Sequence, residues 1–254
     1  MFSIFSRKSK LPPIDLSGLH TDMHSHLLPG IDDGSPDVDT SLYLLKGLQD
    51  LGLQNFITTP HILWDLYKNT EVTIEPSRME FQQALDAAGN STRLSAAAEY
   101  MIDDYFSGLL QQKAPLRCLK DNFVLVEFSF VNLPFDWKQV FFDMQIQGYQ
   151  PVLAHPERYP YLFQKVTLLD EILDMGVLLQ VNLNSLTGYY GKAILHQAQT
   201  LVQKNSISFL GSDLHHERHL TALKTSSSLM PMVSKLLDSG KLLNASLSAD
   251  LPRI

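Results

Sequence analysis

Apolar residues gather along this chain in short runs, separated by longer stretches with a helical rhythm. The runs fall at residues 19–26, 55–61, 94–99, 123–128, 151–155, 178–183 and 207–213. Most are strand-length, and several are rich in Val, Ile or Phe, as buried parallel strands would be. Residues 37–51 give the plainest helical signal: Ser35 offers an N-cap, Pro36 a first helical position and Gly52 a stop. Helices are also expected at 135–147, ending at Gly148, at 162–175, ending at Gly176, and at 192–204, ending at Asn205. Strand and helix alternate about seven times, which predicts one parallel α/β domain.

An open doubly wound sheet and a closed barrel both fit this rhythm. The first strand is not followed by the G-x-G-x-x-G turn that would favour the open sheet. Polar residues instead mark the carboxyl ends of nearly every run: His24 and His26, His61, Glu99, Glu127, His155, and Asp213 with His215. In a barrel those ends form one face and converge, whereas an open sheet would scatter them along a line. A barrel is therefore expected.

The 254 residues, 44% hydrophobic, can bury a sizeable core. The formal net charge of −7 comes without a basic stripe, which disfavours nucleic acid as the main partner. The single cysteine, Cys118, rules out an intramolecular disulfide and suits a reducing compartment. Six residues after it stands Val124 rather than the arginine of cysteine-based phosphatases, so Cys118 is expected to be a buried structural thiol. No G-x-S-x-G elbow and no P-loop is present. The opening MFSIFSRKSK is not a secretory signal, and no run approaches the roughly 20 apolar residues of a membrane span. Residues 1–15 are expected to be a flexible tail and 16–254 the folded domain, in the cytoplasm. A second reading of the tail sets Phe2, Ile4 and Phe5, beside Arg7, Lys8 and Lys10, against an anionic membrane surface.

Each polar strand end has an ordinary explanation by itself. His24-Ser25-His26 could be a buried or surface pair, Asp32-Asp33-Gly34 an acidic turn, and His61 a satisfied core histidine. Glu127, embedded in an apolar strand, is costly unless paired, protonated or bound to metal. Their recurrence at successive strand ends points instead to a shared metal centre. Strand side chains alternate faces, so His24 and His26 can grip one ion, and Asp213 with His215 repeats that spacing. Imidazoles and carboxylates without thiolates suit Mn, Zn or Fe(II), not a closed structural zinc site. Such clusters serve hydrolysis, with adjacent ions generating hydroxide and clamping developing charge. Arg158, beside His155, could hold a phosphate, and Arg218 is a further candidate. His20, His196, His216 and His219 are read as surface or supporting residues.

With these residues in hand, the chain resembles the polymerase-and-histidinol-phosphatase (PHP) superfamily, in particular its bacterial capsule and exopolysaccharide protein-tyrosine phosphatases. The matching stretches are DMHSHLLPGIDDG from Asp22, TTPH ending at His61, AAAEY around Glu99 and VLVEFS around Glu127, then VLAHPERY from Val152, LLQVN ending at Asn182 and LGSDLH ending at His215. They keep family order over residues 20–220. The resemblance implies a distorted seven-stranded (β/α) barrel with two or three divalent ions, Mn first and Fe or Zn as alternatives. It assigns His24, His26, Glu99 and Asp213 to one ion. A second would share Glu99 and add Glu127 and His155, and a third would take Asp33, His61 and His215. Arg158 matches the phosphate-side arginine, with Arg218 as its partner. The implied reaction is hydrolysis of phosphotyrosine by metal-bound hydroxide. The implied substrate is the tyrosine-rich tail of a membrane-bound bacterial tyrosine kinase that controls polysaccharide export. A small-molecule phosphatase of the histidinol-phosphate type, a phosphodiesterase and an inactive partner-binding barrel are the alternatives. Where Gram-positive relatives carry arginines after the His61 position, this chain has Ile62-Leu63-Trp64-Asp65-Leu66-Tyr67, a loop expected to stack on the substrate ring.

Overall fold

The computed structural model describes residues 13–248, so all but the last three residues of the expected tail lie outside the described residues. The strands are β1 (Thr21–Asp22), β2 (Asn55–Thr58), β3 (His61–Ile62), β4 (Leu94–Ala96), β5 (Glu99–Met101), β6 (Phe123–Glu127), β7 (Gln150–Ala154), β8 (Leu178–Asn182) and β9 (Phe209–Gly211). The helices are α1 (Val38–Gln49), α2 (Glu71–Ala87), α3 (Asp104–Gln111), α4 (Trp137–Ile146), α5 (Pro160–Gln164), α6 (Val166–Asp174), α7 (Leu183–Thr187), α8 (Lys192–Lys204), α9 (Glu217–Thr225) and α10 (Leu229–Asp238).

Strands β1-β2-β4 form one parallel sheet and β3-β5-β6-β7-β8-β9 a second. The strand runs at 55–61 and 94–99 are thus each divided, the first at Thr59-Pro60, where proline has no N–H to give a ladder. The sheets remain knit: Ala97 N donates to Thr58 O at 2.9 Å and Glu99 N to Pro60 O at 3.1 Å. The whole sheet curls until its ends approach. Asp213 N donates to His24 O (2.7 Å) and His26 N to Leu214 O (3.0 Å), while Ser212 N and Oγ both donate to the buried carboxylate of Asp22.

Helices cover the outside of the curl. A large core lies between sheet and helices, including Leu44, Phe56, Phe81, Val124, Val126, Leu179 and Leu210. A smaller one, with Met23, Ile57, Ala97, Leu125, Val152 and Phe209, fills the inside. Side-chain alternation places Glu99 on the face of Ala97 and Glu127 on that of Leu125, so both carboxylates rise directly above the inner core.

Several helix boundaries differ from the sequence expectation. Asp37, not Ser35, caps α1, accepting from Thr40 N. The expected helix at 162–175 is two helices, α5 and α6, broken at Lys165, whose backbone is extended. Helix α2 was not apparent in the sequence because Pro76 stands within it, yet Ile74, Ser77, Phe81 and Leu85 give it a buried stripe at helical spacing.

Candidate metal centre

The strand-end residues converge as the barrel argument expects. His24 and His26 follow β1, His61 opens β3, Glu99 opens β5 and Glu127 closes β6. His155 follows β7, and Asp213 and His215 follow β9. All are buried except His61 and His215, which are partly covered, and Asp33, whose side chain is half exposed.

Glu99 stands at the centre. Its Oε2 lies 3.2 Å from His24 Nε2, 3.3 Å from His26 Nε2 and 3.2 Å from His61 Nδ1, and its Oε1 lies 2.8 Å from His155 Nε2. Asp213 Oδ1 faces His24 Nε2 at 3.4 Å and His26 Nε2 at 3.5 Å. Glu127 Oε1 lies 3.0 Å from His61 Nδ1, and Asp33 Oδ1 lies 3.5 Å from His61 Nε2 and 3.6 Å from His215 Nε2. Donors about 2.1 Å from a shared ion stand about 3.0–3.4 Å from one another, so these spacings fit ligation. Glu99 Oε2 and His61 Nδ1 are buried without a hydrogen-bond partner among the described residues, as metal-ligating atoms would be. Four overlapping groups emerge: His24-His26-Asp213, His24-Glu99-His155, His61-Glu99-Glu127 and His26-Asp33-His61-His215. His24, His26, His61 and Glu99 each belong to two groups, a finer interleaving than the partition implied by the resemblance, in which Glu99 alone is shared.

The charges of the cluster support one another. Burial by itself would raise the carboxyl of Glu99, but His24 and His61 hold it well below the usual range. Burial would lower the His61 imidazole, but Glu127 and Glu99 raise it to about 9. A proton on His61 thus does locally what a divalent cation does when bound.

A supporting layer, largely unread in the sequence, orients these groups. Gln180 Oε1 accepts from His24 Nδ1 at 2.8 Å and from His155 N at 3.3 Å. A carboxamide oxygen only accepts, so His24 carries its proton on Nδ1 and turns a free Nε2 inward. Gln180 Nε2 donates to Asn182 Oδ1, and Asn182 Nδ2 donates to Asp213 Oδ2 at 2.6 Å. His215 Nδ1 donates to Asp213 O at 3.0 Å, freeing its Nε2 for Asp33. His155 (φ 34°) and Asp213 (φ 48°) both adopt left-handed backbone, unusual for such residues. A Cβ on Gly34 would stand 2.2 Å from His26 O, and one on Gly211 2.6 Å from His24 Cβ, so both positions need glycine.

The cluster opens into a cleft of about 240 Å³ lined also by Arg158, Phe130, Tyr190, His216 and His219. His219, expected at the surface or in support, is buried beside the centre, and burial and His216 hold its imidazole down to about 4. Arg158 lines the same cleft as the cluster. Arg218 is exposed on the first turn of α9 and is not among the cleft-lining residues. Trp64 stacks on Tyr105 at 3.7 Å, in a separate hollow beside Asp103, while Tyr67 stacks on His61 at 5.7 Å. Of the aromatic loop, Tyr67 rather than Trp64 reaches the centre. Cys118 is half-buried rather than buried and lies apart from the cleft.

A curled parallel α/β fold with a cluster of histidines and carboxylates at its strand ends is the arrangement of a metal-dependent hydrolase. Residues 20–231 match the family model described as capsular polysaccharide synthesis, CpsB/CapC, and the chain belongs to that family. It is 30% identical over 195 residues to the tyrosine-protein phosphatase YwqE of Bacillus subtilis, covering 77% of each chain. It is 28% identical over 194 residues to the putative tyrosine-protein phosphatase CapC of Staphylococcus aureus, covering 76% of each. Among solved structures it resembles one from a study of YwqE from Bacillus subtilis and CpsB from Streptococcus pneumoniae, described as unique metal-dependent tyrosine phosphatases. The TM-score is 0.73 at 28% identity, over 86% of this chain and 94% of the other.

Proposed function

We propose that this protein is a metal-dependent protein-tyrosine phosphatase. The observation that carries the reading is one cleft in which Asp33, His61, Glu127, His155, Asp213 and His215 meet Arg158, joined by the buried His24, His26 and Glu99, with Cys118 outside it. Its relatives' names supply the substrate class. The donor set suits two or three divalent ions, Mn²⁺ first and Fe²⁺ or Zn²⁺ as alternatives. When bound, such ions would supply hydroxide near neutral pH and offset charge on phosphoryl oxygens.

The chain's own residues do the rest. His24, His26, Asp33, His61, Glu99, Glu127, His155, Asp213 and His215 would hold the ions, oriented by Asp32, Gln180 and Asn182. Arg158 presents N–H donors to the phosphoryl oxygens, and Arg218, exposed on the first turn of α9, is its candidate partner. A tyrosine phenolate, with a pKa of about 10, needs less protonation on leaving than a serine alkoxide. Counting β2 with β3 and β4 with β5 as single interrupted staves supports reading the sheet as a distorted seven-stranded PHP-type barrel in one domain from residue 16 onward, with the final residues 249–254 of the expected domain outside the described residues.

The family's place in capsular polysaccharide synthesis supports a phosphotyrosine protein as substrate, in particular the tail of a bacterial tyrosine kinase. Among the described residues no helix is long and apolar enough to cross a membrane, and we place the enzyme in the cytoplasm. The test is a kinetic comparison with Mn²⁺ present. Phosphotyrosine peptides should exceed phosphoserine peptides and histidinol phosphate in kcat/KM by about tenfold or more, which needs roughly 1.4 kcal/mol of differential transition-state binding. Preference for histidinol phosphate would transfer the assignment to the small-molecule phosphatases.

A further inference from the structure

Three neighbouring strand ends converge on one guanidinium. Phe130 lies in the loop after β6, Arg158 in the short turn after β7, and Tyr190 between α7 and α8, after β8. The Cζ of Arg158 is 4.5 Å from the centroid of the Phe130 ring and 4.6 Å from that of Tyr190. Its Nη1 donates to Asp213 Oδ2 at 2.9 Å, an oxygen that also accepts from Asn182. That is a single-point pair, not the two-pronged fork an arginine makes with a carboxylate when free to do so. The guanidinium makes no other hydrogen bond to the described residues, and its side chain is 24% exposed in the cleft.

The two rings account for this posture. A cation over aromatic faces is held by the ring quadrupoles and by packing of its plane, without consuming N–H donors. One carboxylate contact would leave the group free to rotate or to fold fully onto Asp213. The rings restrict both movements and leave donors facing the cleft. A side chain ordered in advance loses less conformational freedom when an anion arrives. Tyr190 contributes its ring and not its hydroxyl, which is buried without a hydrogen-bond partner.

We infer that Phe130 and Tyr190 are positioning residues that hold Arg158 ready for a phosphoryl group. The inference rests on the reading of Arg158 as the phosphate arm, and the experiment separates the two. Mn²⁺-loaded protein is titrated with inorganic phosphate by calorimetry and assayed with 4-nitrophenyl phosphate. Phe130→Leu and Tyr190→Leu should each weaken phosphate binding and lower kcat/KM by about tenfold. Phe130→Tyr and Tyr190→Phe, which keep the rings, should stay within about twofold of the parent, and in an Arg158→Ala background the leucine variants should cost nothing more. Equal losses in that background would show that the rings act without Arg158 and would overturn the inference. So would a Tyr190→Phe loss as large as that of Tyr190→Leu, or a drop in bound metal in either leucine variant. If Arg158→Ala weakens phosphate binding but both leucine variants bind normally, the positioning role alone fails. If Arg158→Ala binds and turns over normally, the phosphate arm itself is wrong and the positioning role goes with it.

Discussion

Asp32 Oδ2 lies 2.8 Å from His26 Nδ1 and also accepts the backbone N–H of His61 at 3.1 Å. This buried carboxylate fixes the His26 ring so that Nε2 faces Glu99 and Asp213. Its neighbour Asp33 points the other way, toward His61 and His215. Adjacent aspartates thus divide the roles of candidate ligand and support. Asp32→Asn should weaken metal affinity by about 10–100-fold while leaving every direct ligand in place. Metal titration followed by elemental analysis checks this, and unchanged affinity would rule out the supporting role.

Metal removal should abolish phosphatase activity and lower the melting temperature, with Mn²⁺ restoring both. His24→Ala and Asp213→Ala should each remove activity and some bound metal, because each takes a buried donor out of the centre. Full turnover in a metal-free preparation is the result that this assignment does not survive.

The metal-free protein should show an inverted pH response. Burial lowers the His61 imidazole, but Glu127 and Glu99 outweigh it and raise the group to about 9, above its ordinary 6.5. A raised histidine contributes stability that is complete below pH 6.5 and is lost as pH climbs through about 9. The melting temperature of metal-free protein should therefore fall between pH 6.5 and 9, whereas metal affinity should rise, since ions compete with those protons. A flat apo profile across that window counts against the proton-for-metal exchange.

Two glycines should prove intolerant of a methyl group. In Gly34→Ala the new Cβ meets backbone, His26 O at 2.2 Å, and in Gly211→Ala it meets His24 Cβ at 2.6 Å. Each should cost about 1–3 kcal/mol or more from overpacking and should displace a metal-binding histidine. Denaturant melts and metal content, measured together, test the pairing of these effects.

Two residues outside the cleft should leave catalysis alone. Cys118→Ser should keep near-parental turnover, and thiol alkylation should not inhibit. Trp64→Ala should leave kcat/KM for phosphotyrosine peptides within about twofold, while losing about 0.5–1.5 kcal/mol of stability from the Tyr105 stack. A selective loss on aromatic substrates would return Trp64 to the binding surface.

Much of the centre was legible before the fold was known. His24, His26, His61, Glu99, Glu127, His155, Asp213 and His215 end successive apolar runs, and in a parallel barrel strand ends share one face. Residue type and strand period therefore determined which side chains meet and the chemistry they suit. Periodicity says nothing, however, where the backbone leaves the repeating geometry. The division at Thr59-Pro60 and the left-handed turns at His155 and Asp213 aim side chains by local dihedrals that no hydrophobic pattern records. The same holds for the choice between Asp32 and Asp33, since two neighbours in a loop have no fixed relation to a face. Nor could composition foresee that Gln180 and Asn182 link His24 to Asp213, or that Phe130 and Tyr190 close on Arg158. The sequence determined the candidate ligands and the face they share. The tertiary structure decided their orientation, because directional hydrogen bonds and ring packing depend on contacts between segments far apart in the chain.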